Sequence, residues 1–193
     1  MSSQEAVRLA EKAFAATIAL HDRMRVNLGS TLLAAETMLG AIKAGHKLLL
    51  FGNGGSASDA QHMSAELVGR FQRERAAIAA IALTTDTSIL TSIANDYSFK
   101  QVFARQIEAL GQAGDVAFGI STSGESPNVV HALNAAKAKG LKTIALTGRD
   151  GGSVGRAADL HVNVPDQSTA RVQEVHRTLI HVMCEVIEEG ANA

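Results

Sequence analysis

The sequence predicts an α/β fold: one domain on a parallel sheet with helices on both faces, preceded by a helical pair. Three observations carry this prediction. Five short apolar runs, at residues 47–51, 78–83, 116–120, 143–146 and 160–164, are separated by helical patterns. The runs are continuous rather than alternating, as strands covered on both faces are. Two of them lead directly into glycine- or serine-rich turns that open a helix. Strands alternating with helices imply βαβ units, whose right-handed crossovers place helices on the two faces of the sheet.

Taken in chain order, residues 1–45 form the helical pair and residues 46–193 the α/β core. The spacing of Val7, Ala10, Phe14, Ile18 and His21 predicts a helix over 4–26. A second helix runs from an N-cap at Ser30 to about Ala44 through Leu32, Leu39 and Ile42, and Gly45 stops it. The pair is read as cover for the core and as a candidate subunit interface. The first strand then opens into Gly52-Asn53-Gly54-Gly55-Ser56 and a helix from about Ala57. The third strand opens into Ser121-Thr122-Ser123-Gly124-Glu125-Ser126-Pro127 and a helix over 128–139. A last helix spans about 168–189.

Composition mainly excludes. The 193 residues carry 18 Lys+Arg against 19 Asp+Glu, which argues against a general nucleic-acid or polybasic membrane binder. A single cysteine, Cys184, rules out an internal disulfide and a cysteine-based zinc knuckle. The N-terminus shows no basic-then-apolar signal, and no apolar run reaches the ~18 residues of a membrane span. The expectation is a single-domain cytoplasmic protein.

Both loops suit an anion. Glycines at a strand-to-helix turn let backbone approach a ligand, and the first N–H groups of the helix point at it. The first loop has neither a Walker lysine nor G-x-G-x-x-G spacing, so it reads equally as a structural turn. The second offers four hydroxyls, Ser121, Thr122, Ser123 and Ser126, and no lysine, which fits a phosphate monoester better than a triphosphate. Its alternative reading is a serine-rich N-cap, with Ser126 at the cap and Pro127 in the first turn.

On the helix after the first loop, His62, Glu66 and Arg70 fall at i, i+4 and i+8, one polar stripe with Met63 and Leu67 pointing elsewhere. Histidine and glutamate four apart can share a metal or act as base and helper; they also read as a surface hydrogen bond. On the last helix, Gln173 and His181 lie about 80° apart on one side.

Together these motifs resemble the phosphoheptose isomerase family of the sugar isomerase (SIS) domain superfamily. The resemblance rests on Gly52-Asn53-Gly54-Gly55-Ser56, Asp59-Ala60-Gln61-His62 with Glu66, Asn95-Asp96, Ser121-Thr122-Ser123-Gly124 with Ser126, Gln173-Glu174 and His181. It implies a flavodoxin-like three-layer sandwich with a five-stranded parallel sheet, assembled as a homotetramer with active sites at subunit interfaces. The implied reaction is aldose–ketose isomerisation of sedoheptulose 7-phosphate, early in the making of activated heptose for bacterial surface glycans. Carried over by position, Ser121, Thr122, Ser123 and Ser126 hold the phosphate, while Asn53, Gly54, Gly55, Ser56, Glu66, Asn95, Asp96 and Gln173 contact the substrate. Glu66 is the base and His181 the acid. His62, Glu66, Gln173 and His181 form a zinc site, one ion per subunit and exchangeable, since Gln is an uncommon zinc ligand. Arg70 is a candidate for steering the anion, or an ordinary surface ion pair. The rival is a non-catalytic SIS-domain regulator that binds a replication initiator protein; Glu66 and His181 favour the enzyme, because a binding protein has no use for a base and acid facing one pocket.

Overall fold

The computed structural model describes residues 1–191. Its sheet has five parallel strands: β1 (Leu48–Gly52), β2 (Ala80–Ala82), β3 (Val116–Ser121), β4 (Lys142–Gly148) and β5 (Leu160–Val164), in the order β2-β1-β3-β4-β5. All five predicted runs are strands, and β2 is shorter than its apolar run. The order is that of a flavodoxin-like doubly wound sheet, with its topological switch between β1 and β3. Register pairs Leu50 with Phe118 and Gly52 with Ile120, so both loops leave the carboxyl end of the sheet side by side.

The strands present alternate residues to two cores. Leu48, Leu50, Val116, Phe118, Ile144 and Leu146 face one layer, formed by α2 (Gly29–Lys43), α3 (Gly55–Val68) and α8 (Thr169–Ala191). Leu49, Phe51, Ala117 and Ala145 face the other, which includes α5 (Ala104–Leu110), α6 (Pro127–Ala138) and α7 (Gly152–Ala157). A further helix, α4 (Thr87–Asp96), follows β2.

The helical pair divides in its role. α2 covers the core, burying Thr31, Ala34, Ala35, Met38 and Ala41. It begins at Gly29, with Ser30 inside it rather than at the cap. α1 (Ser3–Arg25) is fixed at its start by a capping box between Ser2 and Glu5, but buries only Leu20 and Met24. The expected stripe of Val7, Phe14 and Ile18 is exposed instead, at 54%, 71% and 61%. Periodicity marks an apolar face without saying what covers it, and among the described residues nothing covers Val7, Phe14 or Ile18.

α1 reaches α8 through polar groups. Thr17 donates to Glu174 at 2.6 Å, and the Arg171 guanidinium donates to the Ala13 carbonyl at 2.7 Å. α8 in turn docks on the sheet through His176, which is fully buried with Nε2 2.9 Å from the Thr147 carbonyl oxygen at the end of β4. Burial pushes the His176 pKa down to about 4, outweighing the Thr147 bond. An unfolded histidine takes up a proton near its ordinary value of 6.5, whereas the folded one stays neutral down to about 4. Acid therefore favours the unfolded chain: this one group should cost stability progressively as pH falls from 6.5 to 4, about 3 kcal/mol in all. Urea midpoints across that range should show the loss, and His176→Gln should flatten it; parallel curves would place the acid sensitivity elsewhere.

Candidate active site

β1 is buried along its whole length and must turn sharply into α3. Gly52 makes that possible, because a Cβ there would lie 2.8 Å from the Ile120 carbonyl oxygen. The turn delivers α3 with Asp59, Ala60, Met63 and Leu67 inward, leaving His62 and Glu66 half-buried on a neighbouring face. α8 packs beside α3 and brings in His181. The Nε2 atoms of His62 and His181 lie 2.7 Å apart, and His62 Nε2 lies 3.4 Å from Glu66 Oε1. One ligand atom from each residue fits within 4.8 Å of the other two. The Phe71 ring backs His181, centroids 5.6 Å apart.

Burial, with the Arg177 charge, holds His62 below its ordinary value despite the opposing pull of Glu66. Neutral imidazole is the form that binds a metal. Two histidines and a carboxylate on rigid helices suit a borderline cation with coordination positions left for other ligands. No hydrogen bond among the described residues occupies the Glu66 carboxylate, so one oxygen is free to take a proton while the other faces the histidines.

Gln173 stands apart from these three. Its Nε2 lies 3.4 Å from Asp59 Oδ2, and a Cβ on Gly55 would fall on its carboxamide. Asp59 is fully buried and is held by Arg177, with Nε at 2.9 Å and Nη2 at 2.7 Å from Oδ1. Asp59 belongs to the motif that carries the resemblance, but the sequence alone assigns no role to it or to Arg177. The available signal was an acid one turn before His62 that the helix pattern turns inward. A cleft of about 550 Å³, lined by His21, Asp59, Gln173, Glu174 and Arg177, runs along this edge.

The serine loop is built as a cradle. Ser126 is the N-cap of α6 and Pro127 its first residue, yet the Ser126 hydroxyl makes no capping bond. It pairs with Ser121 Oγ at 2.9 Å, and Ser123 Oγ lies 3.3 Å from the same atom. The capping reading therefore fails for the hydroxyl, which stays with the cluster. Gly124 crosses at φ +71 against Gly151, and its carbonyl accepts from Val154 N at 2.8 Å. Glu125 accepts from Ser153 N at 3.1 Å and Ser153 Oγ at 2.6 Å, so α7 braces the loop from behind.

Asn53 and Asn128 exchange two amide hydrogen bonds, 2.9 and 2.8 Å, which tie the glycine loop to the serine loop across the switch. Gly54 caps α3, and Ser56 is buried in its first turn. Asn95 and Asp96 lie at the exposed end of α4, where the Asn95 amide donates to Asp96 at 2.8 Å. Arg70 is not on the polar stripe: α3 ends at Val68, and Arg70 lies beyond the Gly69 cap, exposed and 4.0 Å from Glu74. That matches the ion-pair reading.

The SIS domain profile matches residues 13–148. A phosphoheptose isomerase of Citrifermentans bemidjiense is 58% identical over 155 residues, 80% of this chain and 81% of that protein. One of Aquifex aeolicus is 59% identical over 149 residues, 77% of this chain and 78% of that protein. The solved phosphoheptose isomerase of Neisseria gonorrhoeae superposes with a TM-score of 0.90 at 47% identity, covering 97% of this chain and all of that one. That of Francisella tularensis gives 0.92 at 34% identity, covering 98% of this chain and all of that one.

Proposed function

Since the chain belongs to the SIS domain family and, within it, to the phosphoheptose isomerases, we propose that it interconverts sedoheptulose 7-phosphate and D-glycero-D-manno-heptose 7-phosphate, the first step of activated-heptose biosynthesis. The observation that carries this reading is the pairing of Asn53 with Asn128, which ties the glycine loop that opens α3, the helix of His62 and Glu66, to the hydroxyl cradle at the head of α6.

Moving a carbonyl from C2 to C1 requires a proton to leave C1 and reach C2 through an enediolate, while another passes between the two oxygens. Glu66 takes the first proton from C1 and returns it to C2; its free carboxylate oxygen and half-buried position suit that exchange. His181 handles the oxygen-bound proton. Ser121, Thr122, Ser123 and Ser126 hold the phosphate with hydroxyls and the N-terminus of α6 rather than with a fixed cation. Asn53, Gly54, Gly55, Ser56, Asn95, Asp96 and Gln173 contact the sugar.

His62, Glu66 and His181, joined by Gln173 from about two turns earlier on α8, would hold one exchangeable zinc ion per subunit. Zinc bound there would draw negative charge from the sugar oxygens. Treatment with a chelator should abolish most activity and Zn²⁺ should restore it; metal-free protein at full activity would remove zinc from the reaction. The uncovered face of α1 and the cleft beside Gln173 support a homotetramer whose neighbouring copy completes each site. No described helix is long and apolar enough to cross a membrane, and the reading places the protein in the cytoplasm with a small phosphosugar as its partner.

The deciding experiment is a direct isomerase assay with sedoheptulose 7-phosphate and added zinc. Turnover supports the enzyme. Binding of the sugar phosphate without turnover would favour a regulator instead.

A further inference from the structure

Beside the His62–Glu66–His181 cluster, at the point where α3 ends, lies a buried ion pair that the chemistry above does not use. The Arg75 side chain is 2% exposed and folds back onto the last turn of α3. Its Nη2 donates to the Glu66 carbonyl at 2.7 Å, and its Nη1 donates to the carbonyls of Leu67 at 2.8 Å and Ala76 at 2.9 Å. The last carbonyls of a helix lack intrahelical partners, and a cation there also complements the helix dipole. Here the cation comes from the following loop and grips the peptide of Glu66 itself.

Glu188 answers from the other helix. It lies roughly two turns beyond His181 on α8, its side chain 4% exposed. Its carboxylate accepts the backbone N–H groups of Phe71 at 3.0 Å, Gln72 at 2.9 Å and Arg73 at 3.0 Å. Its Oε1 lies 3.4 Å from Arg75 Nε, which has no hydrogen bond of its own among the described residues. Burial alone would raise the Glu188 carboxyl, but the three N–H groups and Arg75 hold it below the usual range, so it stays charged. The same turn carries Phe71, whose ring backs His181.

We propose that Arg75 and Glu188 are positioning residues for the isomerisation site: they fix the end of α3 that bears Glu66 against the stretch of α8 that bears His181. The two site residues sit on different helices and share no hydrogen bond, so their separation depends on what joins those helices. Arg75 holds one helix by its carbonyls, Glu188 belongs to the other, and the 71–73 turn is held between them. Active sites tolerate displacements of only about half an ångström, and a 1 Å misplacement can cost about a hundredfold in rate. A purely structural clamp would lower stability yet leave the site intact in every molecule that folds.

The inference rests on the isomerase reading, and the two are separated by measuring zinc affinity and turnover independently. Full-length Arg75→Lys, which keeps the charge but loses the fork, is compared with Glu188→Gln, which keeps the shape but loses the charge. Asp115→Asn, a buried carboxylate at the opposite end of the sheet, serves as a destabilised control. All are assayed well below their melting temperatures. The clamp variants should show kcat about 10- to 100-fold lower with KM within about twofold, and zinc binding to metal-free protein about 10-fold weaker by chelator competition. Asp115→Asn should change the melting temperature alone. Lower melting temperatures with wild-type kcat and zinc affinity, in either clamp variant, would overturn the proposal. A wild-type protein inactive on sedoheptulose 7-phosphate would overturn the isomerase reading, and the zinc comparison would still report on the clamp.

Discussion

Glu66→Gln should lower kcat on sedoheptulose 7-phosphate by roughly two to four orders of magnitude, the usual contribution of a positioned base. The amide matches the carboxylate in shape, and Glu66 makes no side-chain hydrogen bond among the described residues that the change could break. Its proton affinity and charge are lost. KM should move much less, because the phosphate is held by the serine loop. Metal content must be measured alongside, since the same substitution removes a candidate ligand: a variant that loses zinc and recovers rate when zinc is supplied in excess would assign Glu66 to the metal rather than to the proton. Wild-type turnover would remove it from the chemistry.

The second large effect is expected at Gly124→Ala. Gly124 sits at φ +71, a conformation that strains residues bearing a Cβ by about 1–2 kcal/mol. Its added methyl would also lie 2.6 Å from the carbonyl carbon and oxygen of Gly151. Both are backbone atoms, so no rotamer change relieves the clash. The serine loop must move away from α7, opening the cluster of Ser121, Ser123 and Ser126. KM should rise at least about tenfold, the melting temperature should fall by several degrees, and inorganic phosphate should lose its competition with substrate. An unchanged KM would show that the phosphate is held elsewhere.

Much of this was legible in the sequence, for physical reasons. Strands buried on both faces leave continuous apolar runs, so the five-stranded sheet could be read directly. Loops at strand ends display their glycines and hydroxyls in order, which gave both halves of the cradle. His62 and Glu66 are four apart on one helix, a spacing that is itself geometry. What failed were statements about what faces what. The stripe of Val7, Phe14 and Ile18 does not cover the core of this chain, which leaves it to the other reading of the pair, a subunit interface. Arg70 continued a helical spacing past the point where Gly69 ends the helix. Ser126 does stand at the cap of α6, as the alternative reading had it, but its hydroxyl turns to Ser121. Asp59 with Arg177, and Arg75 with Glu188, join residues far apart in the chain, and no local pattern announces such pairs.

The paired amides of Asn53 and Asn128 bear on how this site can change over generations. Each side chain uses one donor and one acceptor on the other, and an aspartate at either position would set a carboxylate oxygen against the partner's carbonyl. A single heritable change there therefore disrupts both loops at once, and only a coordinated second change restores the pairing. Variants that drift toward sugars of other lengths are thus expected to keep this pair and to vary around it.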